Sequence, residues 1–343
     1  MKLTVIGAGS FGTAMTKHAS TVSGVSGEKN DVMLYCEHGE QADAINETRH
    51  NPLSMKEVEL GPNVTAVGGE KNLPRALSHA EHVILALPSQ VLGGVLEQIA
   101  RHTDGGKNLR LLSLAKGIEI SSGRFMHQIA AQTVPNAVYA ALSGPSHAEE
   151  VAVGMPAAVV VASRDEATAV AWQRALNDER LRIYTSLDVQ GVELGGSMKN
   201  VIAIAVGIAR ASGFGDNSVA ALVTRGLAEI MRFGASLGAN PLTLAGLAGI
   251  GDLMVTCYSV LSRNFRFGNA VGQGKTPDEA AAEIGQVVEG MYTARALVAK
   301  AREANLDLPI SEGVYKILYE NVPVKDVMTA LLTREPKPEM RGA

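Results

Sequence analysis

Leu3-Thr4-Val5-Ile6-Gly7-Ala8-Gly9-Ser10-Phe11-Gly12 takes a short, mostly apolar run straight into a glycine-spaced turn. The first four residues are rich in β-branched types and suit a strand buried on both faces. The pattern after Gly12 is helical through Ala19. Each glycine then has a physical task. Gly7 permits the tight turn, Gly9 lets the backbone approach a pyrophosphate, and Gly12 lets the helix pack closely on the strand. The helix N-terminus faces the phosphates. A lone G-x-G-x-x-G is a weak signal that any glycine-rich turn can imitate. Here the flanking strand and helix supply the context that a dinucleotide site requires.

Outward from this turn the alternation continues. Asp31–Cys36, Val64–Val67, His82–Leu87, Leu109–Leu114, Ala137–Leu142, Ala157–Val161 and Arg182–Thr185 read as strands, and Glu166–Leu176 as one of the helices between them. Ser20–Asn30 reads as an extended polar loop. Regular β-α alternation predicts a parallel sheet with helices on both faces and a ligand site beyond the strands' C-terminal ends. Those ends carry Pro88-Ser89, Lys116-Gly117 and Gly144-Pro145-Ser146-His147. Ser146 also suits a helix N-cap, and Lys116 could be a plain turn lysine. Glu37, closing the second strand, can accept hydrogen bonds from an adenosine ribose and repel a 2′-phosphate, which favours NAD over NADP. Its alternative is a solvated loop acid.

Past Asp188–Gly191 the strand signals thin out, which divides the chain into an α/β domain over 1–188 and a helical domain over 189–343. Gly191-Val192-Glu193-Leu194-Gly195-Gly196-Ser197-Met198-Lys199-Asn200 precedes the almost uncharged run Val201–Ala209. Lys199 is thereby carried into a helix that should be buried. Desolvation penalises an unpaired ammonium, and burial readily turns lysine toward general-base chemistry. Snorkelling to water is the other possibility. Val219, Leu222, Val223, Gly226, Leu227 and Ile230 form a helix face, with Asn217 or Ser218 as its expected cap. Asp252, in a glycine-rich apolar setting, needs a cation or several donors unless it caps a helix. Arg263, between Ser262 and Asn264, is a planar fork that matches phosphate oxygens, or else a surface ion-pair partner. Tyr292–Ala304 and a last segment from Leu308-Pro309-Ile310 read as helices, and Arg334–Ala343 as a frayed tail.

At 343 residues and 46% hydrophobic content, two domains with sizeable cores are expected. Aromatics at 4% and a net charge of −4 argue against a nucleic-acid binder or an anionic-membrane binder. Cys36 and Cys257 stand alone, so neither a disulfide framework nor a metal site is expected. The run Met1–Gly9 is too short for a signal peptide, and no membrane-spanning stretch is expected. The composition points to a soluble cytoplasmic protein.

The ordered set Gly7–Gly12, Lys116-Gly117-Ile118-Glu119, Ser143–Ser146, Gly191–Asn200, Gly213–Asn217, Gly249–Asp252, Ser262–Asn264 and Val287–Gly290 resembles the bacterial NAD(P)-dependent glycerol-3-phosphate dehydrogenases over nearly the whole chain. The resemblance implies a doubly wound, Rossmann-like N-terminal domain and an all-α C-terminal domain, usually in a homodimer. It implies that Lys199 is the proton acceptor, with Lys116 and Asp252 in the same site. Gly144, Ser146, Ser262, Arg263 and Asn264 would contact the substrate alongside these three. Ser10, Phe11, Lys116, Ala148, Arg263, Val287 and Glu289 would contact NAD, or less favourably NADP. The implied reaction interconverts sn-glycerol 3-phosphate and dihydroxyacetone phosphate and supplies phospholipid synthesis. Tyr258 and Val219 depart from the family's usual small threonine and lysine, respectively. Competing readings are a sister dehydrogenase acting on a β-hydroxy acid or sugar acid, and a non-catalytic NADH sensor. A sensor needs the glycine turn but no base, so the Lys116, Lys199 and Asp252 set argues against it.

Overall fold

The computed structural model describes residues 1–23, 27–336 and 338–339. Its strands are β1 (Lys2–Ile6), β2 (Asp31–Cys36), β3 (Val64–Gly68), β4 (His82–Leu85), β5 (Arg110–Ser113), β6 (Val138–Ser143), β7 (Ala157–Ser163) and β8 (Leu181–Ser186). They form one sheet in the order β3-β2-β1-β4-β5-β6-β7-β8. The winding direction reverses between β1 and β4, which opens a crevice at their C-terminal ends.

The helices of this half are α1 (Ser10–Thr21), α2 (Gly39–Thr48), α3 (Leu73–His79), α4 (Ser89–His102), α5 (Met126–Thr133), α6 (Ala148–Ala152) and α7 (Glu166–Leu176). Strand alternation assigns them to faces. On β4, Val83 and Leu85 enter a core with Leu92 and Leu96 of α4, whereas Ile84 enters the core holding Met15 of α1 and Trp172 of α7. Both faces are covered, which is why these strands read as continuous apolar runs.

One expectation fails in direction. β7 runs antiparallel to β6, with Ala140 opposite Ser163, so the sheet is mixed and not wholly parallel. A parallel return must cross back over the sheet, normally on a full helix. The β6–β7 connection contains only the five-residue α6, which is too short for that crossing. One cap assignment also changes here. His147, and not Ser146, occupies the N-cap of α6, while Ser146 Oγ donates to the Gly144 carbonyl at 2.9 Å. The expected loop Ser20–Asn30 starts two residues late, since α1 continues to Thr21, and its residues 24–26 lie outside the described residues.

The second half consists of α8 (Val189–Ala211), α9 (Asp216–Ser236), α10 (Pro241–Leu244), a π-helical turn at Leu247–Gly251, α11 (Asp252–Tyr258), α12 (Arg263–Gly272), α13 (Pro277–Ile284), α14 (Glu289–Glu303), α15 (Pro309–Tyr319) and α16 (Val324–Leu332). Asp188 caps α8 by accepting the Gly191 N–H. Beyond that cap α8 is buried on nearly every side and mostly apolar, the mark of an enclosed helix. Its Met198, Val201, Ile202 and Ile204 share one core with Phe233, Leu253, Phe267, Leu297 and Val314.

Two segments, Val189–Ala211 and Pro241–Tyr258, are by length and composition alone apolar enough to cross a membrane. The first is the buried core helix, and the second is broken into α10, the π turn and α11. Gly215 stands at the N-cap of α9 with no side-chain cap, so neither Asn217 nor Ser218 caps it, both lying inside the helix. The sequence reading missed α16. The expected frayed tail Arg334–Ala343 falls partly on residues 337 and 340–343, outside the described residues.

Candidate active site

A cleft of about 950 Å³ runs from the β1–α1 turn to the buried middle of α8. At the turn, Gly7 adopts φ +106°, and a Cβ there would lie 2.4 Å from the Ala86 carbonyl. A Cβ at Gly12 would lie 1.9 Å from the Gly7 carbonyl, whereas one at Gly9 would meet nothing. The first two positions are closed by backbone and the third opens on the cleft. Gly9 is also the N-cap of α1 and offers no side-chain oxygen, so the first-turn N–H groups remain for an anion. This cradle fits the pyrophosphate of a dinucleotide. Ser10, Phe11 and Ala148 line the cleft beside it, with Glu37 and Tyr35 at its outer end.

The inner end is built around Asp252, which is 1% exposed at the start of α11. Lys199, 6% exposed on α8, directs Nζ onto Asp252 Oδ1 and onto Thr256 Oγ1 at 2.8 Å. Lys116, just beyond β5, directs Nζ onto Asp252 Oδ2 at 2.7 Å and the Gly144 carbonyl at 3.1 Å. Lys199 therefore does not snorkel, Asp252 has its cations, and Lys116 is no surface turn lysine. Ser143 Oγ and the Gly144 N–H approach Oδ2 at 3.3 and 3.4 Å. Two glycines bring α8 this close. A Cβ at Gly195 would lie 2.3 Å from the Ala248 carbonyl, and one at Gly196 2.5 Å from Ser143 Oγ.

These surroundings set the charges. Burial lowers Lys199 to about 8; Asp252 opposes the shift and Lys116 reinforces it. Burial alone would push Asp252 up, but the two ammonium groups and their hydrogen bonds together outweigh it and hold the carboxylate below its ordinary range. The pair titrates as a coupled unit.

Around this centre the amides act as struts. Asn200 Nδ2 donates to the Lys116 carbonyl at 3.1 Å, Asn264 Nδ2 donates to Asn200 Oδ1 at 2.9 Å, and the Gly290 N–H donates to Asn264 Oδ1 at 2.9 Å. Ser262 caps α12 by accepting the Phe265 N–H. Arg263 is exposed, lines the cleft and, among the described residues, hydrogen-bonds only Gln286 Oε1, at 3.5 Å. Its fork is available to an anion. Glu289 accepts from the Ser89 N–H at 2.8 Å and from Ser89 Oγ at 2.5 Å, and burial raises its pKa despite both bonds.

The cleft thus gathers Gly7, Gly9, Ser10, Phe11, Glu37, Lys116, Ser146, Ala148 and Lys199 with Ser262, Arg263, Asn264, Val287 and Glu289. Gly12, Gly144 and Asp252 lie behind its lining. Gly144 is itself packed tightly, since a Cβ there would lie 2.9 Å from Val159 Cα. Val219 is buried in the helical core and Tyr258 is exposed, and neither lines the cleft.

Sequence reasoning gave no role to three participants. Thr256 lies one helical turn after Asp252, a spacing that could have revealed it. Ser89 could be read only as a polar residue at a strand end; its bond to Glu289, 200 residues away, carried no local sign. Buried Glu193 on α8 accepts from Tyr139 Oη at 2.6 Å, the His127 N–H at 3.0 Å and His127 Nδ1 at 2.6 Å, fastening α8 to β6 and α5.

Comparison with known proteins agrees with this geometry. Residues 2–169 match the family model for the NAD-dependent glycerol-3-phosphate dehydrogenase N-terminus, and residues 188–329 the model for its C-terminus. A glycerol-3-phosphate dehydrogenase [NAD(P)+] of Salinibacter ruber is 43% identical over 98% of this chain and 96% of its own. One from a Thermoanaerobacter species is 41% identical over the full length of both. The crystal structure of glycerol-3-phosphate dehydrogenase from Coxiella burnetii superposes with a TM-score of 0.90 at 32% identity, covering 97% of this chain and 99% of its own. By its two domain matches and its full-length relatives, this chain belongs to the bacterial NAD(P)-dependent glycerol-3-phosphate dehydrogenases.

Proposed function

We propose that the cleft interconverts sn-glycerol 3-phosphate and dihydroxyacetone phosphate with NAD or NADP, and that Lys199 is the proton acceptor and donor. The observation that carries this reading is Lys199 itself: a buried ammonium lowered to about 8, facing a cleft whose far end is a pyrophosphate cradle. The nicotinamide cofactor supplies hydride acceptance and donation. The chain's own residues manage the proton and the charge. At pH 7 roughly a tenth of Lys199 is neutral and able to take a hydroxyl proton. The protonated majority can donate to a ketone oxygen in the reverse direction. Asp252 orients the ammonium, and Lys116 adds positive charge beside the reacting oxygen.

Arg263 is the residue best suited to the substrate phosphate, with Ser262 and Asn264 as neutral neighbours, Ser146 also in the lining and Gly144 behind it. Gly7, Gly9, Ser10, Phe11 and Gly12 serve the pyrophosphate, Ala148, Val287 and Glu289 the rest of the cofactor, and Glu37 an adenosine ribose, with NAD preferred. We place the domain division between Asp188 and Val189, in accord with the end of β8 and the start of α8. A cytoplasmic homodimer that supplies phospholipid synthesis completes the proposal.

The test follows NADH and NADPH oxidation with dihydroxyacetone phosphate, using pyruvate as control. Turnover confined to the phosphorylated ketone is expected. No turnover in folded protein that still binds NADH would move the assignment to a sister dehydrogenase or a sensor.

A further inference from the structure

Past the pyrophosphate cradle, the cleft ends between the β2–α2 and β3–α3 connections. The parallel register that sets Cys36 opposite Gly68 brings the residues after these strands side by side, and the Gly69 N–H donates to the Cys36 carbonyl at 3.3 Å. Gly68 lies against the His38 backbone, where a Cβ would come within 2.4 Å of the carbonyl oxygen. Two exposed carboxylates result at one rim: Glu37 after β2, and Glu70, which opens the 3₁₀ turn Glu70–Asn72 after β3. Both line the cleft. Tyr35 lies within the field of both: burial first, then Glu70, then Glu37 raise its hydroxyl pKa. The lysines and arginine lining the cleft are Lys116, Lys199 and Arg263, all at the opposite end, and Lys71, next to Glu70, is exposed outside the lining.

We propose that Glu70 is a second determinant of cofactor choice, acting with Glu37 to exclude a 2′-phosphate from this rim. The proposal rests on the assignment of the adenosine ribose to the Glu37 end of the cleft. Glu37 can hydrogen-bond a ribose as well as repel a phosphate, whereas Glu70 contributes through charge. A phosphate placed here meets two negative groups and, among the described residues lining the rim, no lysine or arginine. A ribose hydroxyl meets Glu37 as its acceptor and carries no charge for Glu70 to repel. Discrimination by charge also makes a distinct signature: it weakens as salt shortens the Debye length, from about 30 Å at 0.01 M to about 8 Å at 0.15 M.

The test measures kcat/KM for NADPH and for NADH at saturating dihydroxyacetone phosphate and pH 8, in wild type, Glu70→Gln, Glu37→Gln and the double variant, at low and high salt. Glu70→Gln is expected to raise the NADPH:NADH ratio about fivefold at low salt, the size of one screened like-charge contact. The gain should lie in KM for NADPH and shrink at high salt. The double variant should exceed either single one. If Glu37→Gln moves the ratio and Glu70→Gln leaves it unchanged, Glu70 is not a determinant while the ribose assignment stands. If neither moves it, the ribose assignment fails as well. An equal loss with both cofactors in Glu70→Gln would show a structural role and overturn the proposal.

Discussion

Lys116 and Lys199 divide one carboxylate between them: the first ammonium holds Asp252 Oδ2 at 2.7 Å and the second holds Oδ1. Two cations and one anion are enclosed together, so the cluster retains a positive surplus where dielectric screening is weak. The anion makes burial of the lysines tolerable, and the surplus suits a substrate that brings its own negative charge. Removing any member should therefore affect more than one property.

Lys199→Met is expected to lower kcat by at least 10²-fold, the lower end of what general acid–base catalysis supplies. NADH affinity, read by fluorescence titration, should stay within about threefold, because the cradle lies at the other end of the cleft. Near-normal turnover in folded variant protein would remove Lys199 as the base.

Alcohol oxidation should rise with pH along a limb centred at about 8, because the neutral amine is the active form. Asp252 raises Lys199 and Lys116 lowers it, so Asp252→Asn should move the limb to lower pH and Lys116→Met to higher pH. Stability carries the matching sign. The folded pKa is depressed below the ordinary 10.5, so between about 8 and 10.5 the unfolded chain binds more protons and this residue's contribution to stability grows as pH rises. A pH series of oxidation rates in the three proteins checks the order of the limbs.

Thr256→Val keeps the volume of the side chain but removes the acceptor for Lys199 and the donor to the Asp252 carbonyl, 2.6 Å away. A loss of roughly tenfold in kcat and about 1 kcal/mol of stability is expected. Steady-state kinetics and urea denaturation report these separately. An unchanged kcat would make Thr256 a helix-packing residue only.

Glu193→Ala would leave Tyr139 Oη and the two His127 donors without their buried acceptor, a loss of about 3 kcal/mol. Tyr139→Phe removes one donor and should cost about 1 kcal/mol. Equal urea midpoints for the two variants would contradict the shared-acceptor arrangement.

Much of the fold was legible because its signals are local. Asp31–Cys36 and Glu166–Leu176 coincide with β2 and α7 to the residue, being a buried apolar run and a capped amphipathic stretch. The direction of β7 was not legible, since residues within a strand carry no sign of which way it runs. That depends on the length of the connection, and α6 is short. The cluster of Lys116, Lys199 and Asp252 could be named from residue types that are costly to bury alone. The roles of Glu70 and of the Ser89–Glu289 bond could not, for an exposed acid and a strand-end serine gain their meaning only from residues far off in the chain. The missed caps have the same origin: Asn217 and Ser218 are good cap types, yet the chain enters α9 two residues earlier.

The enclosure of α8 has a consequence for how the molecule comes apart. Val189 and Val192 at its start lie in a cluster with Ala141 and Ala162 of the sheet, while its later residues fill the helical core. The helix is thus a shared wall, not a tether. Chains cut after residue 188 would leave an apolar strip on one fragment and a protruding apolar rod on the other. The two halves should consequently melt as one cooperative unit, giving a single calorimetric transition despite their different architectures.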